Sequence, residues 1–346
     1  MTDVTATLPR PGVPARTRRA LALSGLGVTL TVVAVAGLGV GARDVAPGDV
    51  VAALLSPDLA NPDHLVIRAM RLPRAGAGVV LGAALAVAGL LMQALTRNPL
   101  ADPGLLGVNA GASAAVVLAI AAFGLSAPGA LVWFAFAGAG AVAALVWALG
   151  TLGAGSATPV RLALAGAAVS GLLMSLVTAL LLLSHETLQG FRFWMVGSLA
   201  GATPAALAQL VPAFAAGFAL ALWSGAALNA VALGDDAARA LGVRLGAARA
   251  AALAAITLLC GAAVALAGPI GFVGLVVPHL ARALMGPDQR WCLPAAALMG
   301  PILLLAADCL GRVVLRPDEV QVGVMTALIG GPAFVVLLRR IRVMQP

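Results

Sequence analysis

The sequence contains no lysine, so all 21 of its basic residues are arginines. A P-loop nucleotide site uses a lysine to bind phosphates, and Schiff-base catalysis requires a lysine amine. Both kinds of site are therefore excluded from this chain. If the protein works in an ATP-driven process, another chain must bind the nucleotide.

Charge of either sign is also scarce. Charged residues make up 10% of the 346 residues, whereas hydrophobic residues make up 62%. A soluble core cannot use that much apolar surface, which indicates a polytopic membrane protein. The formal charge of +8 is explained by the arginine excess on the cytoplasmic side of membrane proteins and does not require a nucleic acid partner.

Cysteine is nearly absent. Cys260, Cys292 and Cys309 lie in or beside apolar runs and form no C-x-x-C pair. The sequence therefore predicts neither a zinc site nor a disulfide framework. It also lacks G-x-S-x-G and H-E-x-x-H motifs and has no paired aspartates in an apolar run, which argues against an intramembrane enzyme.

The sequence is rich in apolar runs, and a helix of about 20 such residues crosses a membrane. Ten runs, the eighth of them short, cover residues 20–41, 75–95, 104–123, 129–150, 161–183, 205–224, 249–268, 271–285, 292–311 and 321–338. We therefore predict an all-α polytopic membrane protein with about ten transmembrane helices. Residues 1–19 form a cytoplasmic tail, and residues 20–346 form one transmembrane domain. Its first run is too long for a cleaved signal peptide.

The arginines predict which helix ends face the cytoplasm. With the N-terminus inside, most arginines fall on the cytoplasmic side, and an even number of spans returns the C-terminus there. Arg71, Arg74 and Arg312 then lie at the outer face, against the trend. They either reach lipid phosphates or dock an acidic partner.

Two copies of a short repeat suggest internal symmetry. Residues 82–89 (GAALAVAG) recur as residues 261–268 (GAAVALAG), and the same offset aligns Pro99 with Pro278. The copies begin in the second and seventh runs, which an odd number of spans places in opposite orientations. This is the pattern of an inverted repeat, which many transporters have.

A polar, helix-breaking stretch at residues 95–112 (LTRNPLADPGLLGVNAGA) separates the second and third runs. Pro99 ends a helix because it lacks an N–H, and it pushes Asn98 toward an extended conformation. Asn98 can hydrogen-bond the freed backbone, and Asp102 is suited to cap the helix that follows. From these residues alone, a plain interhelical turn is the simplest interpretation.

Two further segments are too polar to be spans. Residues 185–201 predict an interfacial helix with Trp194 at the lipid headgroups. Residues 233–249 predict a short two-helix unit in which Leu233, Ala237 and Leu241 share one helical face. Gly242 follows as a stop signal. This unit is either a solvated connector or a docking element for a soluble subunit.

His279 and Asp308 are the ionisable residues most deeply placed in apolar runs, which makes both of them functional candidates. His279 follows Pro278, so a freed carbonyl can accept its proton, and the alternatives are a structural hydrogen bond and a role in a pathway. Asp308 lies four residues before Arg312, which favours an intrahelical ion pair. A proton-coupled transporter would have to rely on these two groups.

Four blocks of the sequence resemble the FecCD family of permeases, the membrane subunits of ABC importers for ferric siderophores, haem and cobalamin. The blocks cover residues 71–112, 193–201, 232–243 and 267–290, and the last continues through 303–312. They occur in the order and at the spacing that the family shows.

The resemblance implies a type II ABC importer permease in the cytoplasmic membrane of a bacterium. Its path would run along a dimer interface, mainly along the fifth and tenth spans, and the second permease subunit would be either a copy or a paralogue. Two ATPase subunits would bind ATP and Mg on the cytoplasmic face, and a substrate-binding protein would dock outside. The chain itself would bind no cofactor. A ferric siderophore is the expected cargo, with cobalamin or haem as the alternative.

The resemblance also assigns roles to residues. It places a cytoplasmic gate at Asn98, Pro99 and Leu100, with a weaker assignment to Thr158. It implies that Arg71, Arg74 and Arg312 dock the binding protein. The coupling helices for the ATPase, at about residues 230–248, would include Leu233, Gly234, Asp235, Asp236, Ala237, Ala238, Arg239, Leu241 and Gly242.

The sequence departs from the family pattern at two places. Gln321 stands where the family usually has a proline, so the tenth span is expected to begin with less of a kink. Pro159 and Val160 occupy the connection before the fifth span, where the family usually has small hydroxyl residues. The gate assignment of Thr158 rests on that connection.

Overall fold

The computed structural model describes residues 14–41, 44–58, 60–125, 127–152 and 159–343. Within these ranges the chain consists of helices and connecting turns, without a β-strand. The prediction of an all-α protein is therefore confirmed.

Fourteen α-helices follow one another along the described chain. They are α1 (Ala15–Gly39), α2 (Pro47–Leu55), α3 (Pro62–Val66), α4 (Leu72–Thr96), α5 (Val108–Phe123), α6 (Pro128–Thr151), α7 (Pro159–Leu183), α8 (His185–Met195), α9 (Pro204–Ala232), α10 (Asp235–Ala240), α11 (Leu245–Ala267), α12 (Val273–Met285), α13 (Gln289–Val314) and α14 (Val322–Val343). A π-helical turn, Ile67–Arg71, joins α3 to α4, and a 3₁₀ helix, Pro103–Leu106, precedes α5.

Each of the ten predicted apolar runs coincides with one of these helices. Among the described residues, seven helical segments are long and apolar enough to cross a membrane, and α5, α12 and the first part of α14 are shorter apolar helices. The 13 residues of α12 extend about 20 Å, which is less than the roughly 30 Å of hydrocarbon that a span must cross.

Helices α4 and α11 form the centre of the bundle. They bury 78% and 72% of their most apolar windows, whereas α1 and α7 bury only 11% and 17%. An apolar helix that is exposed over most of its surface requires lipid or another subunit around it. Helices α1 and α7 therefore lie at the periphery of this chain.

Glycine allows the central helices to approach closely. A Cβ atom at Gly89 of α4 would lie 2.1 Å from the carbonyl oxygen of Gly274 in α12, and one at Gly300 of α13 would lie 2.1 Å from the carbonyl oxygen of Gly82. Small residues at helix crossings let backbones pack at short range, which is the main source of helix association within a membrane.

The short repeat does not correspond to equivalent structure at its shared proline. Residues 82–89 lie inside α4, which continues to Thr96, whereas residues 261–268 end together with α11. Pro99 consequently lies in the loop after α4, while Pro278 lies inside α12. The offset that aligns the two sequences thus aligns prolines in different surroundings.

The polar segments are shorter than predicted. The interfacial segment at residues 185–201 is helical only as far as Met195. The predicted two-helix unit at residues 233–249 consists of one short helix, α10, and the start of α11 from Leu245 onward, so its second helix is the beginning of a long one. Gly242 adopts a φ of 77° in the turn between them, as expected for a stop signal.

We expect the change Gly89→Ala to destabilise the bundle, because the added methyl group would strike backbone that cannot rotate away. Overpacking costs typically about 1–3 kcal/mol, and a backbone clash belongs at the upper end of that range. Thermal unfolding in detergent, followed by tryptophan fluorescence, measures the loss.

Gly76→Ala is the matched control, since Gly76 lies on the same helix and has open space around its Cβ position. Equal unfolding temperatures for the two variants would contradict the packing argument.

Candidate functional site

The predicted gate residues form a tight turn at the end of α4. Arg97 caps the helix with a φ of 50°, in the left-handed region. The Asn98 side-chain oxygen accepts a hydrogen bond from the Leu100 N–H at 2.9 Å, and its main-chain carbonyl accepts one from the Ala101 N–H at 3.1 Å. The predicted bond from Asn98 to freed backbone is thus present. The Leu100 side chain projects outward and is 45% exposed.

Asp102 secures the far side of this turn. Its carboxylate accepts a hydrogen bond from the Gly104 N–H at 2.8 Å. Asp102 is the N-cap of the 3₁₀ helix Pro103–Leu106, so the capping role that the sequence predicted for it is confirmed. Burial raises the pKa of the Asp102 carboxyl, and the bond from Gly104 opposes that shift. The carbonyl of Leu105 then packs on Gly166 of α7, where no Cβ would fit.

Three of the four predicted gate residues therefore belong to one turn, which rests on α7. The fourth, Thr158, lies outside the described residues, immediately before α7 begins at Pro159. Its assignment stays a prediction.

The predicted coupling segment packs on the bundle through α10. Val231, Ala238 and Leu245 are buried together, and Gly234 turns the chain from α9 with a φ of 110°. Leu233 and Leu241 instead point outward and are 70% and 65% exposed.

The burial pattern agrees with the shared face expected here. Leu233 and Leu241 are exposed and Ala237 is half-buried, whereas Ala238 packs inward. Asp236 and Arg239 form an exposed pair at 2.8 Å. An exposed pair of this kind contributes little to stability.

Asp235 is the ionic centre of the same segment. Its carboxylate accepts hydrogen bonds from Arg249 of α11 at 2.8 and 2.9 Å, and a further one from Arg97. Desolvation tends to raise the pKa of Asp235, but the bonds from Arg249 and Arg97 outweigh it and lower the pKa. Asp235 therefore stays ionised at physiological pH and connects α10 to both α11 and the end of α4.

Asp308 organises the other end of α4. It is 1% exposed and forms ion pairs with Arg312 at 3.2 Å and with Arg74 at 2.8 Å. The intrahelical pair with Arg312 was expected from the sequence spacing, whereas the pair with Arg74 was not. A second carboxylate, that of Glu319, binds Arg74 at 2.7 Å and is more exposed.

Arg71 and Arg312 are buried and hold the end of α1. Arg71 donates a hydrogen bond to the Leu38 carbonyl at 2.7 Å. Arg312 donates to the carbonyls of Gly37 and Val40 at 3.0 and 2.7 Å. The last carbonyls of a helix have no partner within the helix, and cations are favourable beside them.

The three predicted docking arginines nevertheless share one cavity of about 330 Å³. Arg71, Arg74 and Arg312 line it together with Glu319 and Thr203. The structure thus brings these arginines together, although two of them already bind main-chain carbonyls.

His279 belongs to a partly buried polar group between α4 and α12. Its Nδ1 donates to the Leu275 carbonyl at 2.8 Å. The carbonyl that Pro278 frees four residues earlier is that of Gly274, which lies 3.4 Å from the side-chain nitrogen of Gln93. Gln93 in turn accepts a hydrogen bond from Arg282. This arrangement supports a structural role for His279 and reveals Gln93 and Arg282, which sequence reasoning missed.

A comparison with protein families identifies this architecture. Residues 29–340 match the model of the FecCD transport family. The chain belongs to the FecCD transport family. The resemblance seen in the four sequence blocks is therefore confirmed.

Similar proteins cover nearly the whole chain. The ferric enterobactin transport system permease protein FepD of Escherichia coli (strain K12) is 46% identical over 323 residues, which are 93% of this chain and 96% of FepD. The hemin transport system permease protein HmuU of Yersinia pestis is 43% identical over 279 residues, which are 79% of this chain and 83% of HmuU.

A solved structure shares the fold. It is described as an inward-facing conformation of a transporter assigned to the metal-chelate type of ABC transporter. The two chains superpose with a TM-score of 0.80 at 30% sequence identity, over 93% of this chain and 99% of the other. The helical architecture above is thus that of an ABC transporter permease.

We expect Asp308→Asn to destabilise the protein strongly, because the change removes the charge that Arg74 and Arg312 share in a buried site. Breaking a buried ion pair by removing one partner costs about 3–5 kcal/mol. Thermal unfolding in detergent measures the effect.

Asp44→Asn is the matched control. Asp44 pairs with Arg316 at 2.6 Å, but its side chain is 63% exposed, so solvent and salt screen that pair. If both variants unfold at the temperature of the unchanged protein, the Asp308 network does not stabilise the fold as argued.

Proposed function

We propose that this chain is the membrane-spanning permease subunit of an ABC importer that carries a ferric siderophore across the cytoplasmic membrane of a bacterium. The observation that carries this proposal is the 46% identity to a ferric enterobactin permease along 93% of the chain. Residues 71–112, which contain the gate turn, fall within the matched region of the family.

In this proposal all ten apolar helices serve as spans, with both termini in the cytoplasm, and the two halves of the fold form an inverted repeat. The short helix α12 does not cross the full hydrocarbon layer, so the backbone groups at its ends need hydrogen-bond partners. Irregular backbone at that depth is tolerated only where protein or a water-filled cavity covers it. Two permease subunits, either identical or paralogous, form the transporter.

The path of the cargo runs along the interface between those subunits. Helix α7 supports this placement because only 17% of its apolar window is buried within the chain. Residues 162–183 contain no charged side chain. A wide and nearly inert wall suits a bulky chelate that another protein delivers.

The turn at Asn98, Pro99 and Leu100 closes the cytoplasmic end of the path, with Thr158 as a weaker candidate beside it. The exposed Leu100 side chain is apolar and large enough to narrow an opening. The internal hydrogen bonds of Asn98 keep the turn in one shape, so it can move as a unit.

The segment from Leu233 to Gly242 receives the ATPase subunits, of which there are two in the assembled transporter. Its exposed leucines support this role because they offer apolar contact area on a cytoplasmic surface. ATP and Mg bind to those subunits, since this chain lacks the lysine of a P-loop.

The cavity lined by Arg71, Arg74 and Arg312 faces outward and receives acidic side chains of the substrate-binding protein. Of the three arginines, Arg74 is the best placed for direct contact with the binding protein. It binds the buried Asp308, but its second partner, Glu319, lies at the surface. Opposite charges of this kind steer the encounter and define the docking register more than they add affinity.

Haem is the second candidate cargo, because the hemin permease is 43% identical over 79% of this chain. The two relatives are thus almost equally similar in identity, and they differ mainly in the share of the chain covered. The binding protein sets most of the choice between such cargoes.

The deciding experiment measures uptake of radiolabelled iron, supplied as a ferric siderophore, by cells with and without this gene. We expect uptake to be lost on deletion, restored by the gene on a plasmid, and lost again when cellular ATP is depleted.

Uptake of labelled haem is measured in parallel. Loss of haem uptake with unchanged siderophore uptake would transfer the proposal to haem. Uptake that survives ATP depletion but collapses with the proton gradient would overturn the assignment as an ABC importer.

A further inference from the structure

An ion pair connects the predicted gate turn to the predicted coupling helix. Arg97 ends α4 directly before the turn, and Asp235 is the first residue of α10. An Nη atom of Arg97 donates to the Asp235 carboxylate. The two residues lie 138 positions apart in the sequence, so tertiary packing and not local chain geometry brings them together.

The backbone at Arg97 is unfavourable for an arginine. Its φ of 50° is the left-handed conformation that closes many helices, and glycine is the residue that adopts it without a steric penalty. The hydrogen bond of the Arg97 side chain goes to Asp235. What arginine adds at this position is therefore its contact with the coupling segment.

Asp235 is itself held firmly on the other side. Arg249, near the start of α11, donates two hydrogen bonds to its carboxylate. The charge of Asp235 is maintained at physiological pH because Arg249 and Arg97 together stabilise its ionised form. A displacement of α10 consequently carries the Asp235 carboxylate, and the Arg97 guanidinium follows it.

The turn beyond Arg97 is built to transmit such a displacement. The hydrogen bonds of Asn98 tie Leu100 and Ala101 to the same turn. Further along, the Leu105 carbonyl rests on Gly166 of α7, the helix proposed to line the path. A chain of contacts thus runs from the turn after Arg97 to Leu100 and, through Leu105, to Gly166.

We propose that the Arg97–Asp235 ion pair is the positioning contact through which movement of α10 opens and closes the gate turn. The inference rests on the proposed function, because it assumes that an ATPase subunit moves α10. Both side chains are partly exposed, 41% for Arg97 and 29% for Asp235. Pairs with that exposure contribute little to folding stability, so removing this one should uncouple the gate without unfolding the protein.

The test follows the accessibility of the gate during the ATP cycle. The whole transporter is purified from its host membrane through a tag on this chain, with Leu100→Cys as the reporter. Reaction of the introduced thiol with a maleimide is timed without nucleotide and after trapping with ATP and vanadate. The chain without Leu100→Cys measures the background from Cys260, Cys292 and Cys309.

Two changes remove the ion pair, and two controls either conserve its positive charge or leave it in place. Arg97→Gly abolishes this pair alone, and Asp235→Asn abolishes it together with the Asp235–Arg249 pair. Arg97→Lys retains a positive charge, and Asp44→Asn removes an exposed pair elsewhere in the chain. We expect trapping to change the labelling rate several-fold when Leu100→Cys is the only change, and also when Asp44→Asn is added to it. We expect that change to vanish with Arg97→Gly and Asp235→Asn and to return in part with Arg97→Lys.

If Arg97 served only to stabilise the fold, replacing it would lower the unfolding temperature. Glycine suits the left-handed position, so Arg97→Gly is expected to unfold at the same temperature as the unchanged protein or a higher one. The amount of cargo moved per ATP hydrolysed should nevertheless fall several-fold. Lost nucleotide response together with retained stability would establish the pair as a positioning contact.

Two results would overturn the inference. One is a nucleotide-dependent labelling change that survives in Arg97→Gly and Asp235→Asn. The other is a transporter with ATP-driven uptake whose labelling never responds to nucleotide. Failure of the proposed function would be recognised separately, because the unchanged transporter would then show no ATP-driven uptake at all.

Discussion

The whole structure depends on the rule that a charge or backbone group inside a membrane must find its partner within the protein. Asp308 meets this rule by binding Arg74 and Arg312 in a nearly fully buried position. Arg312 also binds carbonyls at the end of α1. Asp308 therefore connects α4 to α13, and Arg312 extends the same network to the peripheral helix α1.

Close glycine contacts and buried polar groups stabilise the bundle at different places along α4. At Gly82 and Gly89 the backbones of neighbouring helices touch α4, which gives close packing where apolar side chains alone would confer little specificity in lipid. At its two ends α4 is instead held by charge, through Arg74 and Arg97. The position of α4 is thus set in its middle by close backbone packing and at its ends by ion pairs.

Much of this could be predicted from the sequence, because helices and turns are encoded locally. The apolar runs predicted the long helices, Pro99 predicted the end of α4, and the four-residue spacing predicted the Asp308–Arg312 pair. The pairs Arg74–Asp308 and Arg97–Asp235 could not be predicted, because a single sequence carries no distances between remote segments. The repeat was misleading at Pro99 because short stretches of alanine and glycine match without sharing surroundings.

Helix α4 extends from the ion pairs of Arg74 at one end to the ion pair of Arg97 at the other. Its 25 residues extend about 37 Å, and close packing along that length leaves it little room to bend. Arg74 and Arg97 thus lie at opposite ends of one closely packed helix. If a partner bound at one end changes the free energy of the state at the other, thermodynamic reciprocity requires the reverse effect to be equally large. Docking outside and nucleotide binding inside would then share a single coupling energy, transmitted by one helix.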